Sequence, residues 1–147
     1  MAMADRIAVV SWKGNLTEGE GDLTLDSSKV LQGAPITWAS RTEKSDGRTS
    51  PEELLAGAHA ACYAMAFSNT LAKAGTPADS LDVKATCSLD RVDGGVAVTT
   101  MHLEVRGVVS GLDDAGFKTA AETAEGSCPI SNAIRGNVDI TLDAGLA

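Results

Sequence analysis

The chain has 147 residues, a formal net charge of −8 and only 3% aromatic residues. Its length suits one domain, residues 1–147, with a core of its own. The acidic balance argues against nucleic acid, which calls for a basic face. No run of about 18 apolar residues occurs, and "MAMADRIAVV" lacks an apolar stretch followed by a small-residue cleavage site. The expectation is therefore no membrane partner and a cytoplasmic protein. With so few aromatics the interior must be built from Val, Leu, Ile and Ala. Alanine-rich helices bury little area each, so dimerisation is an expected source of further burial.

In chain order, "IAVVSWKG" reads as a strand and "NLTEGEGD" as a turn. "LTLDSSKV" and "APITWASR" read as further strands, with Gly33 and Pro35 as punctuation. "TEKSDGRTS" is a polar loop. A helix opens at "SPEE": Ser50 can cap it, Pro51 fits its first position, and Glu53 completes a Ser-x-x-Glu box. It runs to about Ala74 and stops at Gly75, with Pro77 beyond. Its small residues, Ala56 to Ala66, surround it almost completely, which predicts a buried central helix. "LDVKATCSLDRV" and "VAVTTMHLEVRGVV" alternate and are joined by a tight hairpin turn at Asp93-Gly94 or Gly94-Gly95. "LDDAGFKTAAETAEGS" and "CPISNAIR" follow as helices, and "VDITLDA" closes as a strand. The order βββ-α-ββ-αα-β indicates an α+β fold.

Of the three cysteines, Cys62 lies on the long helix in "HAAC", and Cys128 starts a short one in "SCPIS", where backbone N–H groups favour a thiolate. Cys87 falls mid-strand and reads as structural. In a reducing compartment three cysteines make a poor disulfide framework, so a pairing between two of them would be transient and catalytic. Zinc is a competing use, with His59, Cys62, His102 and Cys128 as ligands, but no Cys-x-x-Cys pair supports it. Without Cys-x-x-Cys, a thioredoxin-like exchange is also disfavoured, which leaves a peroxidase with separate attacking and resolving thiols. His59 reads as an interior histidine. Trp12, Trp38, Met65, Phe67 and Leu71 read as core.

"SPEELLAGAHAACYAMA", "SLDRVDGGVAVT" and "GSCPISNAI", in that order, resemble the OsmC/Ohr family of organic hydroperoxide reductases, and the OsmC branch more than Ohr. The resemblance implies an intertwined homodimer, with antiparallel sheets wrapped around long central helices. It implies Cys62 as the peroxidatic and Cys128 as the resolving cysteine. An arginine from the N-terminal sheet region maps to Arg41, with Arg48 as a rival, and a glutamate after the helix-opening proline maps to Glu52. It implies no bound cofactor, an organic hydroperoxide as substrate, and a dithiol reductant of the lipoyl type or a lipoylated protein as partner. The roles fit the chemistry: a guanidinium stabilises a thiolate, and a carboxylate fixes the guanidinium. Glu52 and Cys62 are roughly 15 Å apart along one helix, so antiparallel helices of two subunits would have to bring them together. The alternatives are a non-catalytic, stress-responsive binding module of the same fold, and a structural zinc protein.

Overall fold

Short β-branched runs broken by Gly and Asn make small antiparallel strands, and three open the chain: β1 (Val9–Lys13), β2 (Glu20–Thr24) and β3 (Ala34–Thr37). They form one sheet in the order β1-β2-β3. The computed structural model describes residues 1–147, in two compact units, Met1–Pro51 and Glu52–Ala147.

In the N-terminal unit, Trp12 pairs with Gly21. The indole occupies the space that a Cβ at Gly21 would need, 2.8 Å from the built position. Trp12 is nevertheless 38% exposed, so the core role expected of it does not hold. The second strand also differs from expectation. It begins at Glu20 and ends at Thr24, because Asp26, Ser27 and Ser28 are turn formers. There the Leu25 N–H donates to the Leu31 carbonyl, the Ile7 N–H donates to Ser27 Oγ, and Lys29 takes a positive φ.

A short helix, α1 (Trp38–Thr42), replaces the end of the expected third strand. Thr37 and Ser40 close a reciprocal capping box around its first turn, each hydroxyl accepting from the other residue's N–H. Arg41 therefore stands in the last turn of a helix rather than in a loop directly after a strand.

The C-terminal unit is built on α2 (Pro51–Lys73) and a second sheet of β4 (Ser80–Val92), β5 (Gly95–Val108) and β6 (Asp139–Leu146). α2 buries one stripe, His59, Tyr63, Phe67 and Leu71, at helical spacing. Gly57, Ala58, Ala61 and Met65 are exposed, Met65 to 69%, so within one chain the helix is not buried all round and Met65 is not core.

β4 and β5 form a long antiparallel hairpin. Its connection is Asp93-Gly94, and of those two only Gly94 takes a positive φ. β5 buries Met101, Leu103 and Val105 on one face of the pleat. Gly107 continues that face. A Cβ there would meet Phe117 at 2.6 Å, so the close approach of helix to sheet needs glycine.

Helices α3 (Asp114–Ser127) and α4 (Pro129–Ile134) cross from β5 to β6. β6 returns parallel to β5, a departure from the all-antiparallel sheets expected. The helical connection supplies the reach that a parallel return requires. Phe117, Ala121 and Ala124 of α3 join Tyr63, Phe67, Leu71, Leu103 and Val105 in one apolar cluster. Tyr63 and Phe67 lie with ring centroids 5.7 Å apart, and Phe67 and Phe117 5.0 Å apart.

Candidate active site

Cys128 owes its setting to the proline that follows it. A residue before proline is pushed out of the helical region, and Cys128 is extended, at φ −73 and ψ 118. It therefore ends α3 and caps α4 at once, with Pro129 at the first helical position. The Cys128 N–H donates to the Glu125 carbonyl at 3.3 Å, and its own carbonyl accepts from the Asn132 N–H at 3.0 Å. The side chain is fully buried.

This break frees the first N–H groups of α4, which have no partner inside the helix. One of them, at Ile130, lies near Cys62 and favours its thiolate. Cys62 packs against the apolar cluster that contains Cys128, and the neighbouring Cys128 thiol opposes its ionisation. The structure thus brings Cys62 and Cys128 near one another, although they lie on different helices and far apart in sequence. The amide that this helix start offers acts on Cys62. All three cysteines are free thiols.

The electrostatics of Cys62 run against easy ionisation. Burial pushes its thiol up, the Ile130 N–H pulls it down, and the neighbouring Cys128 thiol pushes it up again; the net direction is upward. An effective nucleophile at neutral pH needs a cation in addition.

The turn that carries Cys128 is fastened on several sides. Arg135 Nη2 donates to Glu125 Oε1 at 2.7 Å and to the Glu125 carbonyl at 3.3 Å, tying the end of α4 to the end of α3. Asn132 Nδ2 donates to the Gly126 carbonyl at 3.3 Å. Ser131 Oγ lies 2.7 Å from His59 Nε2, and both residues are fully buried. His59 is held below the usual histidine range, chiefly by burial; Glu125 opposes that shift and Arg135 reinforces it. Sequence reading passed over Ser131 and left His59 as an interior residue. The available signal was their spacing, since each lies one helical turn from a cysteine.

The other expected site residues are placed as follows. Glu52 is buried in the first turn of α2, ten positions before Cys62, and its carboxylate acts on Cys87, which burial and that charge both push up. Arg41 belongs to the N-terminal unit, where its guanidinium stands 5.8 Å from the centroid of the Trp38 ring. Arg48, in the same unit, pairs with Asp46 at 3.4 Å on the surface. Of the ligands considered for zinc, His102 is on the sheet, with Nδ1 2.6 Å from Thr141 Oγ1. No three His, Cys, Asp or Glu side chains converge as a metal group.

Comparison with known proteins identifies the family. Residues 44–143 match the family model of the OsmC-like proteins. The chain is 39% identical over 132 residues to Peroxiredoxin OsmC of Escherichia coli (strain K12), covering 90% of each. It is 32% identical to the organic hydroperoxide resistance protein of Xanthomonas axonopodis pv. citri, over 86% of this chain and 87% of that one. Among solved structures, OhrB of Bacillus subtilis superposes with a TM-score of 0.74 at 27% identity, covering 94% of this chain and 97% of the other. Sequence and fold agree: the chain belongs to the OsmC family.

Proposed function

We propose that the protein is a thiol-dependent peroxidase that reduces organic hydroperoxides to alcohols in defence against oxidative stress. The observation that carries this reading is the proximity of Cys62 and Cys128, with Cys62 packed against the cluster that contains Cys128. The names of the relatives, a peroxiredoxin and hydroperoxide resistance proteins, support the substrate class.

The Cys62 thiolate attacks the outer oxygen of the hydroperoxide. The O–O bond breaks, the sulfur becomes a sulfenic acid, and the departing alkoxide takes a proton to become the alcohol. The Cys128 thiolate then attacks the Cys62 sulfur. An S–S bond forms, the S–O bond breaks, and hydroxide leaves to be protonated to water. A dithiol of the lipoyl type, free or carried on a protein, restores both thiols by exchange and is itself oxidised to a disulfide. Such a cycle belongs in a reducing compartment, and we assign the protein to the cytoplasm.

The upward shift of Cys62 calls for a nearby positive charge. We assign that role to Arg41, oriented by Glu52. Ten positions of α2, roughly 15 Å of axis, separate Glu52 from Cys62, so Glu52 acts on the partner subunit's thiol in a homodimer of intertwined chains. The exposed small residues Gly57, Ala58 and Ala61 suit close helix–helix approach in such a dimer.

The test is a peroxide-consumption assay with dihydrolipoamide, comparing an alkyl hydroperoxide with hydrogen peroxide. Turnover that prefers the alkyl hydroperoxide supports the reading. Absence of turnover with both peroxides, under conditions where the thiols are reduced, contradicts it.

A further inference from the structure

The two cysteine-bearing helices are joined by a side-chain contact. His59 lies one turn before Cys62 on α2, and Ser131 one turn after Cys128 on α4. Their side chains meet at 2.7 Å, Nε2 to Oγ, and neither has any exposed surface. The hydrogen bond therefore spans the same gap as the thiol pair, one turn further along.

The histidine is not there simply as well-satisfied filling. Its Nδ1 is buried without a hydrogen-bond partner, a costly state that an apolar residue of similar size would avoid. Apolar packing between α2 and α4 is non-directional and would let a helix of only six residues slide or tilt. A buried hydrogen bond between two fixed points does not. The demand for such a fix is clear in the chemistry. Closure must bring the two sulfurs to a bond of about 2.05 Å with a defined torsion. The neighbouring links, Arg135 to Glu125 and Asn132 to Gly126, fasten α4 to α3 only. Of these side-chain bonds, His59–Ser131 alone ties α4 to the helix that carries Cys62.

We propose that His59 and Ser131 are a positioning pair that holds α4 against α2 and thereby sets the rate at which Cys128 closes on oxidised Cys62. The inference rests on the peroxidase reading above. Neither residue touches the peroxide, so the first step, oxidation of Cys62, does not depend on them.

The experiment is a single-turnover measurement with an alkyl hydroperoxide and no reductant, quenched at intervals and read by intact mass. It separates sulfenic acid formation on Cys62 from appearance of the disulfide. In Ser131→Ala and His59→Leu, Cys62 oxidation stays within about twofold of wild type, while closure slows roughly tenfold, the scale of one lost buried hydrogen bond. Sulfinic Cys62 rises accordingly at excess peroxide. His59→Gln keeps a polar nitrogen near the Nε2 position and closes near the wild-type rate. The double variant Ser131→Ala/His59→Leu closes no more than about twofold slower than the slower single, because both remove one bond. Should His59→Leu fail to fold, Ser131→Ala and His59→Gln decide the matter. Closure at the wild-type rate in folded Ser131→Ala overturns the proposal, as do effects that multiply in the double variant. Failure of the underlying reading looks different: wild-type Cys62 then remains unoxidised, or is oxidised without ever pairing with Cys128, and the positioning role falls with it.

Discussion

Cys62 and Cys87 are both half-buried thiols of the C-terminal unit, and burial pushes both up. Their second neighbours differ. Cys62 has the Ile130 N–H at the start of α4 and a second thiol close by, the first favouring its ionisation and the second opposing it. Cys87 has the carboxylate of Glu52 near it, a charge that further opposes ionisation. The first setting can be completed by one cation into a nucleophile with a resolving partner at hand. The second keeps a thiol protonated. What distinguishes the two cysteines is the amide and the sulfur near Cys62, not their degree of exposure.

The largest effect that can break this contrast is loss of the thiol itself. Cys62→Ser should lower peroxide turnover by at least about a thousandfold, since a hydroxyl is not appreciably ionised at neutral pH and forms no sulfenic acid. Cys87→Ser should stay within about twofold of wild type in the same assay. Equal losses in the two variants would erase the distinction.

Next in size is the resolving thiol. Cys128→Ser should consume about one equivalent of hydroperoxide and then stall, with Cys62 trapped as sulfenic or sulfinic acid by mass. Sustained turnover with a dithiol would show that Cys128 is dispensable.

A smaller effect sharpens the electrostatic half of the contrast. Because the surroundings of Cys62 within its own unit raise its pKa, removing the activating cation should leave the thiol protonated at neutral pH. Arg41→Met should therefore slow Cys62 oxidation about tenfold or more at pH 7 and recover much of it towards alkaline pH. Arg48→Met should follow the wild-type pH profile. The reverse result would transfer the role to Arg48.

The smallest effect concerns stability. His59 is held neutral by burial, with Glu125 opposing and Arg135 reinforcing. Its folded pKa lies below its unfolded one, so the unfolded chain binds the extra proton. Stability is then full above the unfolded value, about 6.5, and falls as pH drops from there towards the folded pKa. Thermal unfolding should show Tm falling across that window, and His59→Gln should flatten the fall. An unchanged slope in the variant would assign the loss to other groups.

Much of this fold is legible in the sequence where large residues or strong turn formers set the pattern. The hairpin of β4 and β5 and the Gly75 stop of α2 follow from alternation and from glycine chemistry. α2 itself misled, because alanine is equally at home on buried and exposed faces. Only His59, Tyr63, Phe67 and Leu71 reveal which side faces the core. The short helix α1 hid within an apparently strand-like run, although the Thr37-x-x-Ser40 spacing of its capping box was present. The parallel return of β6 was implied by two intervening helices, but not by the strand's own residues. The cysteines stood out through their motifs. Their proximity, and the bond between His59 and Ser131, depend on how α4 docks on α2, which no local pattern encodes.

The central claim is that Cys62 and Cys128 form one redox pair. Its most direct measurement is peptide mass mapping of wild-type protein after one equivalent of an alkyl hydroperoxide, quenched with a thiol-blocking reagent. The expected main product is an intramolecular Cys62–Cys128 disulfide, with Cys87 blocked as a free thiol. A main product that contains Cys87 in a disulfide, or Cys62 oxidised while Cys128 stays free, would contradict it.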